Sequence, residues 1–140
     1  VIVILDSLTR LARAFGSGGS QGRAVNDFTA AAKPKRFFGA GRACEEGGSL
    51  TIVATIAVDG ASAFDAVVAE EATAIANAEI VLSRELTAAG IDPPVDVRAS
   101  ATRDDELLLS ELELRQMRES RAGFGNRSAL DIATAALSRG

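Results

Sequence analysis

The hydrophobic pattern opens on an unbroken apolar run, Val1-Ile2-Val3-Ile4-Leu5, which stops at Asp6 and is followed at once by Ser7, Leu8, Thr9 and Arg10. A short, uninterrupted, mostly β-branched run predicts a strand buried on both faces, as in a parallel sheet. Over residues 7–15 the apolar positions change period: Leu8, Leu11, Ala12 and Phe15 share a helical face, Arg10 and Arg13 lie off it, and Asp6 or Ser7 can cap the start. Residues 16–23 (GSGGSQGR) predict a Gly/Ser loop. Pro34 suits a helix start ahead of Phe37 and Phe38, and Glu45-Glu46-Gly47-Gly48 is a turn. Residues 49–58 (SLTIVATIAV) predict a second buried strand, ended by Asp59-Gly60. A helix follows over residues 62–72, with Phe64, Val67, Val68 and Glu71 on a face, then a third strand over residues 77–83 (NAEIVLS).

Residues 84–89 read as a short helix stopped by Gly90, and Pro93-Pro94 as an extended crossing. Alternation over residues 95–100 predicts an edge strand. Residues 103–121 predict one or two charged amphipathic helices, broken by Gly123 and Gly125. A final helix over residues 128–139 has Ser128 as N-cap and Asp131 in its first turn. Strands alternating with helices predict an α/β fold, a mostly parallel sheet flanked by helices, followed by a helical appendage.

Composition narrows the chemistry. At 140 residues the chain is one domain or part of one, and with 47% hydrophobic residues it can bury a sizeable core. It has no His, which removes the commonest metal ligand and the usual base of a nucleophilic triad. The single Cys44 excludes an internal disulfide framework and a Cys-rich zinc site, which makes a cytoplasmic location the expectation. No apolar run reaches the roughly 18 residues of a membrane span, and no signal peptide is visible, so no membrane partner is expected. A net charge of -4 argues against a generic nucleic-acid coat, although a local basic patch is compatible with it. The chain begins inside a predicted buried strand, so a fragment lacking an N-terminal portion is expected.

Two clusters carry candidate chemistry. Asp6 ends its strand at the sheet edge where ligands of open α/β folds gather. An apolar strand ending in Asp is the form of a Walker B segment, whose carboxylate helps hold the Mg²⁺ of a bound nucleotide. A core strand ending in a helix-capping Asp fits the same pattern. Lys33, Lys35, Arg36 and Arg42, with Phe37 and Phe38 between them, fit either a nucleic-acid surface or a helix with a Phe core face and a solvated basic face. The Gly-rich stretch before them lacks the Lys-Ser/Thr pair of a phosphate loop.

Four blocks then occur in order: ILDSLTRLARAF, PKRFFGAGRACEEGGSLTIVAT, VLSREL and SATRDDELLLS. They resemble the C-terminal ATPase domain of the Rho family of transcription termination factors, ring-shaped hexameric RNA–DNA helicases of the RecA/F1-like class. The rotary and flagellar or type III export ATPases share an LDSLTR-like segment and a stretch like residues 80–103, but lack the PKRFFGAGR block and the DELLLS continuation. The resemblance implies a partial RecA/F1-like P-loop NTPase core over residues 1–103, from the Walker B strand to an arginine finger, and a C-terminal helical segment over residues 104–140. It implies that Asp6 is the Walker B aspartate, serving Mg²⁺ through water, and that Arg84, at the LSR position, is a weaker nucleotide contact. Arg103, in SATR, is similar to the finger that reaches the ATP of the neighbouring subunit. Arg23, Ser62 and Ala63 fall at the two pore loops that contact RNA.

Implied cofactors are therefore ATP and Mg²⁺. Implied partners are single-stranded RNA, further copies in a ring hexamer, and the RNA polymerase complex. The Walker A loop, the water-activating Glu and the OB-fold RNA-binding domain of that family are missing, so these residues alone are not expected to hydrolyse ATP. Other departures bear on RNA and nucleotide: Ala63 replaces a lysine of the second RNA loop, Gly90 stands at a second interface arginine, and Asp92 stands where an aromatic stacks on adenine. They motivate a second expectation, a degenerate non-catalytic Rho paralogue. The shared export-ATPase stretch motivates a third, a flagellar, type III secretion or rotary-type ATPase subunit.

Overall fold

The computed structural model describes residues 1–17, 27–58 and 62–138. It divides into two compact units, Val1–Ala76 and Asn77–Gly140. This division by packing is distinct from the functional boundary after Arg103 that the resemblance implies.

The first unit contains β1 (Ile2–Leu5), α1 (Leu8–Ser17), α2 (Asp27–Phe38), β2 (Arg42–Ala43), β3 (Ser49–Ala54) and α3 (Ala63–Thr73). The sheet order is β1-β3-β2. β1 and β3 run parallel, with Ile2 opposite Thr51 and Leu5 opposite Ala54. The predicted turn at residues 45–48 returns β2 antiparallel onto β3, with Cys44 N–H donating to the Gly48 carbonyl at 3.0 Å. Gly47 and Gly48 take φ of +105° and +84° there, a region that side chains enter at a steric cost. Leu8 and Ala12 from α1, Pro34 from α2, and Val68 and Ala72 from α3 are buried together with Ala76. Phe64 and Val67 pack against the Ala12–Val68 pair. Small residues at Ala12 and Ala72 let the helices approach, while each large buried side chain contributes about 1.5–3 kcal/mol.

Three expectations are corrected in this unit. The β1 run is not covered on both faces: Ile2 and Ile4 are 71% and 80% exposed, and only Val3 and Leu5 are half-buried. An unbroken apolar run does not reveal which of its alternate side chains meets a neighbour. Pro34 lies inside α2 and does not start it. A proline in a helix interior removes a hydrogen bond, and full burial of the ring among Leu8, Val68 and Ala72 offsets that loss. The helix predicted to end at Phe15 runs on to Ser17.

The second unit contains β4 (Ala78–Glu79), α4 (Arg84–Ala88), β5 (Ala101–Thr102), one turn of 3-10 helix (Asp105–Leu107), α5 (Glu111–Ala122) and α6 (Ala129–Leu137). The predicted third strand over residues 77–83 shrinks to β4, which pairs antiparallel with β5 where a parallel strand is predicted. The edge strand predicted over residues 95–100 is absent. Val95 makes an isolated bridge to Leu82, and Asp96 folds the next residues into a turn by accepting from the Arg98 and Ala99 amides. An Asp that bonds amides two and three residues ahead competes with a strand ladder. α4 begins at Ser83, whose Oγ accepts from Leu86 N–H at 3.4 Å, and ends before Gly90 at φ +75°. Leu86 is fully buried, and α4 packs on α6, which buries Ile132. Capping boxes start α5 (Ser110 with Glu113) and α6 (Ser128 with Asp131). The serine side-chain and backbone bonds hold the Glu113 and Asp131 carboxyls below their ordinary range.

Candidate functional site

Parallel pairing of β1 and β3 brings their carboxyl ends side by side, so Asp6 and Thr55 emerge together. Thr55 N–H donates to the Leu5 carbonyl and Leu8 N–H to the Thr55 carbonyl, both at 3.0 Å. Thr55 Oγ1 then donates to Asp6 Oδ1 at 2.6 Å. The Asp6–Ser7 peptide is cis. Buried Thr9 anchors the chain beyond β3, its Oγ1 accepting from Ala57 N–H at 3.2 Å. Ser7 caps α1, its Oγ accepting from Arg10 N–H at 3.2 Å. Asp6 is therefore not the helix cap: its carboxylate is exposed at the sheet edge and oriented by a threonine hydroxyl. Thr55 was not singled out from the sequence. It lies inside the second apolar run and carries no signal of its own there; only the parallel register, with Leu5 opposite Ala54, sets it beside Asp6.

Ser62 and Ala63 are exposed at the start of α3. The Ser62 carbonyl accepts from Asp65 and Ala66 N–H, and its side chain makes no cap bond. One turn further on, buried Asp65 takes the Arg13 guanidinium, with Nη2 at 2.8 Å from Oδ1 and 2.5 Å from Oδ2. This bond ties the helix that follows Asp6 to the helix that follows Ser62. Arg23 lies outside the described residues, as do residues 18–22, 24–26 and 59–61 of the two expected pore loops.

The basic cluster is partly engaged locally. Lys35 pairs with Glu71, Lys33 sits 5.1 Å from the centre of the Phe15 ring, and Arg42 Nε reaches the Ala40 carbonyl at 3.4 Å. These contacts favour the helix-face reading of that cluster over a nucleic-acid surface. In the second unit Arg84 is exposed at the first position of α4. Arg103 is exposed just after β5, with its N–H donating to the Asn77 carbonyl at 2.7 Å. Gly90, where the resemblance implies a second interface arginine, closes α4 in a left-handed conformation that an arginine would occupy only at a cost.

Among the described residues no group of three or more His, Cys, Asp or Glu gathers as a metal cage. The donor set at Asp6 fits Mg²⁺, which keeps several waters and takes one or two carboxylates plus phosphate oxygens. Asp6 is exposed, and a hydrogen-bonded carboxylate is a suitable partner for metal-bound water. No helix among the described residues is long and apolar enough to cross a membrane.

The model of the ATP synthase alpha/beta family, nucleotide-binding domain, matches residues 1–102. The chain belongs to that family. Within the ATP synthase alpha/beta family, its similarity to Rho is borne out. It is 44% identical over 139 residues to the transcription termination factor Rho of Mycobacterium tuberculosis, covering 94% of this chain and 23% of that protein. Rho of Rhodopirellula baltica is 42% identical over 144 residues, covering 99% and 28%. Rho of Streptomyces lividans is 50% identical over 118 residues, covering 81% and 17%. The chain thus spans less than a third of the length of these curated relatives. An ATPase from the type III secretion system of pathogenic bacteria has a similar fold, with a TM-score of 0.71 and 25% identity over 86% of this chain and 36% of that one. The α/β fold expected from strand–helix alternation, and the nucleotide-binding core implied by the resemblance, are those of the ATP synthase alpha/beta family.

Proposed function

We propose that this chain forms part of a Rho-like, ATP-dependent single-stranded RNA translocase that acts in transcription termination in the cytoplasm, as a ring hexamer with ATP at its subunit interfaces. The observation that carries this reading is the Asp6–Thr55 pair at the carboxyl ends of two adjacent parallel strands, in a chain 42–50% identical to Rho proteins. Asp6 holds Mg²⁺ through water on the nucleotide of its own subunit, and Thr55 keeps the carboxylate turned to that task. When bound, Mg²⁺ neutralises charge on the phosphates. Arg103 serves the neighbouring subunit, where a guanidinium offers fixed positive charge to the phosphoryl group as it transfers. Arg84 supplies a weaker nucleotide contact. Arg23, Ser62 and Ala63 line the RNA-gripping loops, and the RNA polymerase complex is the further partner.

The test is steady-state ATPase of the full-length protein with and without single-stranded RNA. The proposal expects RNA-stimulated hydrolysis that is lost in Asp6→Asn and Arg103→Ala. Hydrolysis indifferent to RNA overturns it. The likeness in fold to a type III secretion ATPase favours one second reading, an export-type ATPase with a protein partner. Full ATPase without RNA stimulation is the outcome that reading expects. No hydrolysis at all is the outcome of a degenerate paralogue, motivated by Ala63, Gly90 and Asp92.

A further inference from the structure

Arg103 follows a strand only two residues long, and two-residue pairing is too short to fix the direction of a chain by itself. Other groups hold the segment that leads into it. Ser100, three residues before Arg103, has its amide, hydroxyl and carbonyl all engaged. Its N–H and Oγ donate to the Asp96 carbonyl at 2.9 and 2.7 Å, and Oγ accepts from Val81 N–H at 2.9 Å. The carbonyl accepts from Nη2 of Arg121 at 3.0 Å. Arg121 lies in the last turn of α5, where a cation is favoured by the helix dipole. From the turn begun by Asp96, Arg98 donates to the Arg127 carbonyl, and the Arg127 side chain donates to the Gly123 carbonyl at 3.1 Å. Residues 96–103 are thus held from one side by β4, through the Thr102 pairing and the Asn77 carbonyl, and from the other by α5 and the connection to α6.

We infer that Arg121, through the Ser100 carbonyl, is a positioning residue for Arg103, setting the backbone from which that guanidinium reaches the nucleotide of the adjoining subunit. The inference rests on the role proposed above for Arg103. It gives the helices beyond residue 103 a part in hydrolysis without contact with the nucleotide. A guanidinium suits the task because its planar fork loses little freedom on bonding a carbonyl, and a lysine retains one donor with looser aim. A displacement of about 1 Å at a reacting group is enough to lower a rate on the order of a hundredfold.

The test measures RNA-stimulated ATPase of the full-length protein for Arg121→Met, Arg121→Lys, Ser100→Ala and Arg103→Ala, and for each of the first three combined with Arg103→Ala. Arg121→Met is expected to lower kcat by about tenfold to a hundredfold with KM for ATP little changed, because ground-state binding is intact. Arg121→Lys is expected to recover part of the loss. Ser100→Ala, which keeps the carbonyl but loosens its turn, is expected to give a smaller loss and stands in should Arg121→Met fail to fold. None of the three changes is expected to lower the rate further in the Arg103→Ala background, since the group they position is gone. Mixed rings of Arg121→Met and Asp6→Asn subunits are expected to exceed either pure ring, as one contributes the intact carboxylate and the other the well-placed arginine. Losses that add to that of Arg103→Ala, or wild-type kcat in both Arg121→Met and Ser100→Ala, overturn the positioning role and leave Arg103 in place. Wild-type kcat in Arg103→Ala overturns the Arg103 assignment itself.

Discussion

Asp6 and Arg103 are held in opposite ways. Asp6 stands on a ladder: β1 and β3 pair through four residues, the pairing continues through Thr55, and buried Leu8 and Ala12 follow directly. Arg103 stands on a two-residue strand whose approach is fixed by single backbone bonds at Ser100 and Arg103 and by side chains bonding backbone groups. A sheet end is rigid because many backbone bonds must break together. A segment held by a few scattered bonds can open locally at smaller free-energy cost than a continuous ladder. A carboxylate that serves its own subunit gains from the first arrangement. On the role proposed for Arg103, an arginine that meets another subunit's site gains from the second.

Predictions that break this contrast can be ranked. Arg103→Ala is expected to cost the most in full-length ATPase, about 10³–10⁵ in kcat, the usual worth of an arginine finger. Asp6→Asn should follow, at about 10²–10³ for one aimed electrostatic group, with Mg²⁺ titration showing weakened dependence. Arg13→Ala leaves Asp65 as a buried carboxylate without its partner, and denaturant unfolding should register a loss of about 1–3 kcal/mol. Asp65→Asn should cost less than Arg13→Ala, because the arginine left behind is more than half exposed and can be solvated. Ser7→Ala removes the α1 cap beside Asp6 for about 1 kcal/mol, and ATPase should fall little if the ladder alone holds the carboxylate.

The smallest effect belongs to the second unit and to pH. Glu113 and Asp131 have carboxyls lowered on folding, so the folded form binds fewer protons than the unfolded one in acid. Their stabilisation of α5 and α6 is complete above the ordinary carboxylate range and is lost as pH falls through the lowered values. Far-ultraviolet circular dichroism across the acid limb should show helix lost with falling pH, and Glu113→Gln should flatten that loss, since glutamine keeps the capping box without titrating. An acid limb unchanged in Glu113→Gln removes the cap from the contrast.

Much of the fold was legible because its signals are local. The two apolar runs, the Gly-Gly turn, the Ser128 cap and the stop at Gly90 all state their conformation within a few residues. What escaped depends on partners far along the chain. Residues 77–83 carry strand composition, yet only Ala78 and Glu79 find a ladder, because β5 is short and its register is set by distant bonds at Ser100. Pro34 reads as a helix start until its burial among Leu8, Val68 and Ala72 is known. The site divides in the same way. Asp6 is readable from its run, whereas Thr55 becomes a partner only once parallel register is known, and Arg121 has no sequence signal linking it to Arg103.

The exposure pattern of β1 also has a colloidal consequence. β1 is the outer strand of the three-stranded sheet among the described residues, uncharged and free of proline, with Ile2 and Ile4 bare on one face. Such a rail can template further strands, the first step in ordered aggregation. Preparations of this chain by itself should self-associate with rising concentration. Ile4→Lys, a gatekeeper charge on the bare face two residues before the carboxylate, should disperse them while leaving the pairing that carries Asp6 intact.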